Sequence, residues 1–338
     1  MSESGLKLMR AGIGGTVTVR PLHDLDLYWR ASVSPLKWGC LFMLPPWLRV
    51  WSSHFGQGSK TRLYVVTERD LLLGAAPLLI SGETAHLIGD SDLIDYSDFI
   101  VTPSREREFF LTLSDRLKRE GISRLDMGRV RSDSAAFSCV KACSTVLDDT
   151  VSCEPVDELF EMDLPETWDG YLGLLSGRER HETRRKLRRL ESAGDIAVRV
   201  IEEKQEVAAA MDAFMALFRA NASEKVRFMT VAVESFFRSL AAAMAEAGLL
   251  KLFFLDLNGM PVAATMCFDY DSTIYLYNSG YDGEFSQLSA GLLGIVFSIR
   301  ESIARGRQKF NFLRGSEPYK RRLGGLPAKL HHCEVVLK

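Results

Sequence analysis

FNFLRGSEPYKRRLGG, residues 310–325, ends one pattern and begins another. Phe310, Phe312 and Leu313 are apolar enough to finish a buried strand, whereas the residues from Arg314 to Arg322 turn away from it through Gly315 and Pro318. A strand end that opens into a Gly/Pro turn is a place where functional groups are displayed. Arg314, Glu317, Tyr319 and Lys320 are therefore candidate site residues, with a solvated basic loop, or an Arg314–Glu317 ion pair that pins the turn, as the alternatives.

The sequence before this stretch supplies the rest of a unit. Leu292, Leu293, Val296, Ile299 and Ile303 predict an amphipathic helix over Ser289–Arg305, with Ser289 as N-cap and Gly306 past its end. Ile274–Asp282 alternates as a strand and breaks at Gly280. Further upstream, Lys251–Leu257 and Pro261–Phe268 flank Asn258-Gly259, a strong hairpin signal. Phe and Met stripes at helical spacing, Val207 to Phe218 and Val233 to Met244, predict two more helices that supply core.

The first half repeats this order. A hairpin over Leu63–Leu79 is followed by a helix from about Glu106 to Arg119 and a closing strand at Ser123–Gly128. The expectation is an α+β protein of two similar units, residues 16–154 and 155–338, each a mixed, mostly antiparallel sheet flanked by helices. Polar punctuation at Asp148–Thr150 and Glu154–Asp157 places the link.

A hydrophobic content of 46% excludes disorder, and a formal net charge of -2 gives no global attraction to DNA or membrane. The longest apolar run, Leu71–Ile80, falls short of a membrane span, and residues 1–15 lack the apolar core of a secretory signal. The six cysteines, at 40, 139, 143, 153, 267 and 333, show no CxxC pair, and His331-His332-Cys333 has no second ligand pair nearby, so no metal site is expected. Packing thiols in a reducing compartment, and hence a cytoplasmic protein, are the corresponding expectations.

Ser279–Asp282 (SGYD), Leu288–Gly291 (LSAG) and Phe312–Gly324 (FLRGSEPYKRRLG) together resemble the C-terminal signature of the CelD-type, cellulose-biosynthesis branch of the GNAT superfamily, which is related to the FemAB aminoacyltransferases. The likeness extends upstream through Trp47–Trp51, the strand at Gly74–Leu79 and Asp95-Tyr96-Ser97-Asp98. The resemblance implies tandem GNAT-like units and acyl transfer from a thioester or an aminoacyl ester to an amine or hydroxyl. The common acetyl-CoA loop of that superfamily reads Gln or Arg, two free positions, Gly, one free position, then Gly or Ala. Here Gln287–Leu292 carries Ala290 and Leu292 at the two small positions. That departure keeps an aminoacyl-tRNA donor as an alternative to acyl-CoA, acetyl-CoA being the first choice, and keeps a non-catalytic scaffold or sensor in view.

Acyl transfer asks for a positioned nucleophile, a proton acceptor and donors for the developing oxyanion. Tyr281, Asp282, Arg314, Glu317, Tyr319 and Lys320 are the expected catalytic set. Ser289, Ala290 and Gly291, at a helix start suited to phosphate, are the expected cofactor-binding set. In the first half, Asp95, Tyr96 and Asp98 belong to an acidic loop, 90–98, that suits a cationic or polyhydroxyl acceptor, or is simply a surface turn. The basic run Arg178–Arg189 reads as an amphipathic helix with a cationic outer face; His181 and Arg184 on it are candidate substrate contacts, for phosphates, an anionic glycan or RNA. The expected acceptor is a small or glycan-linked molecule of envelope or exopolysaccharide synthesis.

Overall fold

The computed structural model describes residues 14–31, 34–56, 58, 60–89, 93–143, 150–220 and 229–337. In chain order the strands are β1 (Gly15–Arg20), β2 (Lys60–Glu68), β3 (Leu71–Ser81), β4 (Thr84–Leu87), β5 (Ile100–Val101), β6 (Arg124–Arg131), β7 (Thr150–Asp163), β8 (Ile196–Ile201), β9 (Leu250–Leu257), β10 (Met260–Tyr270), β11 (Thr273–Tyr281), β12 (Lys309–Arg314) and β13 (Leu326–Val336). The helices that matter below are α1 (Pro45–Phe55), α2 (Glu106–Arg119), α3 (Ala135–Cys143), α4 (Trp168–Leu174), α5 (Gly177–Glu191), α6 (Lys204–Ala220), α7 (Val231–Glu246), α8 (Ala290–Ala304) and α9 (Pro318–Arg322).

Two units account for the chain. Unit 1 comprises Met1–Asp157 together with Lys329–Lys338, and unit 2 is Glu158–Ala328. The division at 157/158 lies beside the expected link, but the last strand returns to unit 1, where β13 pairs antiparallel with β6. Each unit follows one plan. In unit 1 the order is β1-β2-β3-β4-β6-β13, and in unit 2 it is β8-β9-β10-β11-β12-β7. Both sheets are antiparallel except at one place, β4 beside β6 and β11 beside β12, where a helix-containing crossover makes the pair parallel.

Local chemistry explains the hairpins. Asn258 and Gly259 both take positive φ, at 52° and 79°, as the tight β9–β10 turn demands. The β2–β3 turn uses Arg69 and Asp70, at φ 48° and 69°, although neither is glycine. Unit 1 buries Tyr64, Leu78, Phe99, Phe109, Phe110 and Leu113 between the sheet and α2. Unit 2 buries Phe160, Phe253, Val262, Leu293, Val296 and Phe310 around α8. At Gly280 a Cβ would stand 2.5 Å from the Phe218 amide nitrogen, so α6 packs on β11 at a distance that only glycine permits.

The cysteines depart from expectation. β7 crosses the 157/158 division, and Cys153 on its unit 1 part forms a disulfide with Cys333 on β13, also in unit 1, with Cα atoms 4.2 Å apart across 180 residues of sequence. Spacing along the chain carries no sign of this pair, because the final strand folds back over a long separation. Cys40, Cys139 and Cys267 are buried outside any disulfide, and each thiol donates to an oxygen, of Tyr96, Glu106 and Thr265 respectively. No described helix is long and apolar enough to cross a membrane, and no cluster among the described residues is fit to hold a metal ion.

Candidate functional site

In unit 2 the parallel neighbours β11 and β12 pair only at their beginnings, through Thr273↔Lys309, Ile274↔Phe310 and Tyr275↔Asn311. Beyond these rungs β11 runs on to Tyr281 and β12 to Arg314 with no further rung between them among the described residues. The last part of β12 is bent by a bulge: its register against β7 shifts between Asn311 and Leu313. The buried Asn311 side chain holds that bend. Its Oδ1 accepts from the Leu313 amide at 2.8 Å, and its Nδ2 donates to Glu161 at 3.1 Å. Leu313 takes φ 60°, which redirects the chain into Arg314–Glu317.

Lys320 locks the turn that follows. Only 2% exposed, its ammonium donates to the carbonyls of Leu313 at 3.2 Å and Arg314 at 2.5 Å, and it pairs with Glu317 at 3.0 Å. A buried ammonium needs such partners. The neighbouring Tyr171 hydroxyl donates to the Leu323 carbonyl at 3.2 Å and ties down the far end of α9.

The start of α8 is open. Ser289, at φ 59°, occupies the N-cap without a side-chain capping bond, and the first bond of the helix runs from the Leu293 amide to the Ser289 carbonyl at 2.9 Å. The amides of Ala290, Gly291 and Leu292 find no acceptor among the described residues. A pocket of about 320 Å³ opens here, lined by Ser279 and Tyr281 of β11, Ser286, Ser289, Gly291 and Leu292, with Tyr319 of α9 on its wall. Burial, with Glu317 as the smaller cause, pushes the Tyr319 phenol well above its ordinary value and keeps it protonated. Among the described residues the lining offers hydroxyls and helix-start amides but neither a carboxylate nor an imidazole.

Of the residues singled out in the sequence, Tyr281, Ser289, Gly291 and Tyr319 thus meet in one pocket. Ala290 is fully buried with its methyl in the core, so the methyl at the position where the common loop has glycine points away from that space. Asp282 caps the turn Gly283–Leu288 by accepting from the Glu284 amide at 3.0 Å. Arg314 closes β12 opposite Leu159, and Glu317 serves Lys320. His181 and Arg184 line a different, shallow depression with Trp168 and Leu187 on α4 and α5.

The unit 1 residues have structural partners. Tyr96 is buried edge-on against Phe42 at 5.0 Å. Asp98 is buried and accepts from the amides of Phe99, Ala135 and Ala136 at 2.8, 3.2 and 2.7 Å, two of them in the first turn of α3. The Asp95 carbonyl accepts from Arg129 at 3.1 Å. Asp90, Ser91 and Asp92 lie outside the described residues. Ser279 and Ser286 were not legible as pocket residues; the turn Gly283–Leu288 that follows β11 brings Ser286 back to the side of Ser279.

The region that builds this pocket also carries a family match, over residues 177–321. The model matched is that of an acetyltransferase (GNAT) domain. The matched region falls within unit 2. A comparison with curated proteins finds no sequence match. Among solved structures, FemX aligns with 96% of this chain and 97% of its own at a TM-score of 0.63 and 13% identity. L-PGS from Bacillus licheniformis aligns with 85% of this chain and 86% of its own at 0.54 and 11%. The C-terminal domain of a putative lysylphosphatidylglycerol synthetase from Agrobacterium fabrum aligns with 81% and 80% at 0.52 and 11%. At such identities the likeness is one of fold, and it runs through both units and not the GNAT region alone.

Proposed function

We propose that unit 2 carries the reaction and moves an acyl group, acetyl in the first instance, from acyl-CoA to an amine or hydroxyl of a small or sugar-linked acceptor. The observation that carries this reading is the uncapped start of α8 beside the parted ends of β11 and β12. The free amides of Ala290, Gly291 and Leu292 offer a cradle for donor phosphate, and the positive end of the helix favours it. The CelD-type signature adds envelope or exopolysaccharide synthesis as the setting.

In the transfer the acceptor's lone pair attacks the thioester carbonyl carbon, a bond to carbon forms, and the carbon–sulfur bond breaks with its electrons going to the CoA thiolate. Tyr319, on the pocket wall and held protonated by burial, donates a hydrogen bond to the departing thiolate, which takes its proton from solvent. The proton lost by the acceptor passes to solvent at the mouth of the pocket. Asp282 and Glu317 position the turns on either side, and Lys320 holds the one that presents Tyr319.

Thermal shift of the full chain against CoA, acetyl-CoA and a longer acyl-CoA tests this. A ligand at 100 times its Kd stabilises by about 2.7 kcal/mol, and Gly291→Trp should abolish the shift. No response to any CoA species would turn the reading toward an aminoacyl-tRNA donor, for which the exposed arginines of α5 and the FemAB resemblance speak.

A further inference from the structure

A second, smaller pocket of about 180 Å³ adjoins the first, sharing Leu292 with it. One wall is a face of α5 that carries Arg178, Thr183 and Lys186, and the other is the end of α9 with Arg322. Residues 178, 182 and 186 are successive i,i+4 neighbours, which aligns them along the helix toward one side.

The charges there are incompletely answered. Arg178, Lys186 and Arg322 make no side-chain hydrogen bond or ion pair among the described residues. Two carboxylates share the wall. Glu182 accepts from Arg185 at 3.2 and 2.8 Å and also feels the charge of Lys186, so Glu179 and a shared Glu182 do not balance the three cations of the pocket. The floor carries a second signal. Thr183 is only 5% exposed, lines the pocket, and its hydroxyl has no hydrogen-bond partner among the described residues. Like charges gathered around a small concavity repel one another unless an anion joins them. Two guanidinium forks, an ammonium and a hydroxyl match the several acceptor oxygens of a phosphoryl group.

We propose that Arg178, Lys186, Arg322 and Thr183 seat a phosphoryl group of a substrate whose reacting end lies in the adjoining pocket. The identity of that substrate rests on the transferase reading above; the anion site itself does not. Two sources share this chemistry, the 3′-phosphate of CoA and the phosphates of a nucleotide-linked acceptor.

Isothermal titration of the full chain with CoA, 3′-dephospho-CoA, inorganic pyrophosphate and uridine diphosphate separates them. The variants are Lys186→Gln, Arg322→Gln and, as control, Arg189→Gln, an exposed cation of the same helix that lines neither pocket. Each pocket substitution should weaken a phosphoryl-bearing probe by roughly tenfold, the ~1.4 kcal/mol expected for one charged contact, while Arg189→Gln leaves it unchanged. Weakened CoA with unaltered 3′-dephospho-CoA assigns the phosphoryl group to the donor. Weakened pyrophosphate and uridine diphosphate with unaltered CoA assigns it to the acceptor. Equal behaviour of wild type and pocket variants toward all four probes, or an equal loss in Arg189→Gln, overturns the proposal. CoA binding that Gly291→Trp abolishes but Lys186→Gln spares would leave the transferase reading standing without this site. Pyrophosphate binding that Lys186→Gln weakens, in a protein deaf to CoA, would leave the site standing without that reading.

Discussion

The ring of Tyr281 occupies the space that a side chain on residue 291 would need: a Cβ on Gly291 would lie 2.5 Å from Tyr281 Cδ1 and 2.9 Å from Cγ. Both residues line the pocket at the start of α8, so the position of the ring and the absence of a side chain at 291 are one arrangement. Gly291→Ala should therefore cost ~1–3 kcal/mol by overpacking and weaken acyl-CoA binding as the ring is driven into the pocket. In a Tyr281→Ala background the same substitution should cost far less. A double-mutant cycle by urea denaturation reads the coupling, and additive losses would show that the ring and residue 291 are independent.

Lys320 predicts an asymmetry within one ion pair. Lys320→Met strands the carbonyls of Leu313 and Arg314 in a buried turn and should destabilise by ~2–4 kcal/mol. Glu317→Gln acts on a side chain that is 56% exposed, where solvent screens the charge, and should cost under ~1 kcal/mol. Denaturant midpoints for the two variants that coincide would contradict the turn-locking role.

Asp98 makes unit 1 sensitive to pH. Desolvation pushes its carboxyl up to about 7 despite three backbone amides that favour the charged form. The folded chain therefore holds this proton after the unfolded chain has released it near the ordinary carboxylate value. Its stabilising contribution is full below about pH 4 and is lost as pH rises to about 7, with a slope of at most ~1.4 kcal/mol per pH unit. Asp98→Asn should flatten that segment of the stability profile; an unchanged slope would mean that Asp98 is not the group responsible.

The Cys153–Cys333 bond closes a loop of 180 residues. Reduction, or a Cys153→Ser/Cys333→Ser pair, should lower the stability of unit 1 by ~2–5 kcal/mol, chiefly by freeing the unfolded chain. Peptide mapping without reductant identifies the bond directly as one peptide pair joining β7 to β13. Recovery of both peptides unlinked would remove it.

Much of the site was legible because its signals are local. Gly-rich punctuation at 280 and 315, the amphipathic spacing of α8 and the polar run after β12 each act over a few residues, and they placed Tyr281, Ser289, Gly291 and Tyr319 in the neighbourhood of one pocket. Side-chain direction was not legible. Asp282, Glu317 and Lys320 read as catalytic from their types, yet caps and a buried ammonium claim them for the backbone, since carbonyls and amides left by tight turns need partners. In unit 1 the same need turns Asp98 inward to the amides of α3.

By itself the sequence determined the two hairpins, the helix that starts at Ala290 and the repetition of one α+β plan, because turn chemistry and the periods of strand and helix are properties of neighbouring residues. Only the tertiary structure decided that the chain's last strand completes unit 1, that Cys153 meets Cys333, and that three cations from α5 and α9 gather beside Leu292. Those outcomes depend on contacts between segments more than a hundred residues apart, chosen by which surfaces the whole chain can bury together, and no local pattern encodes them.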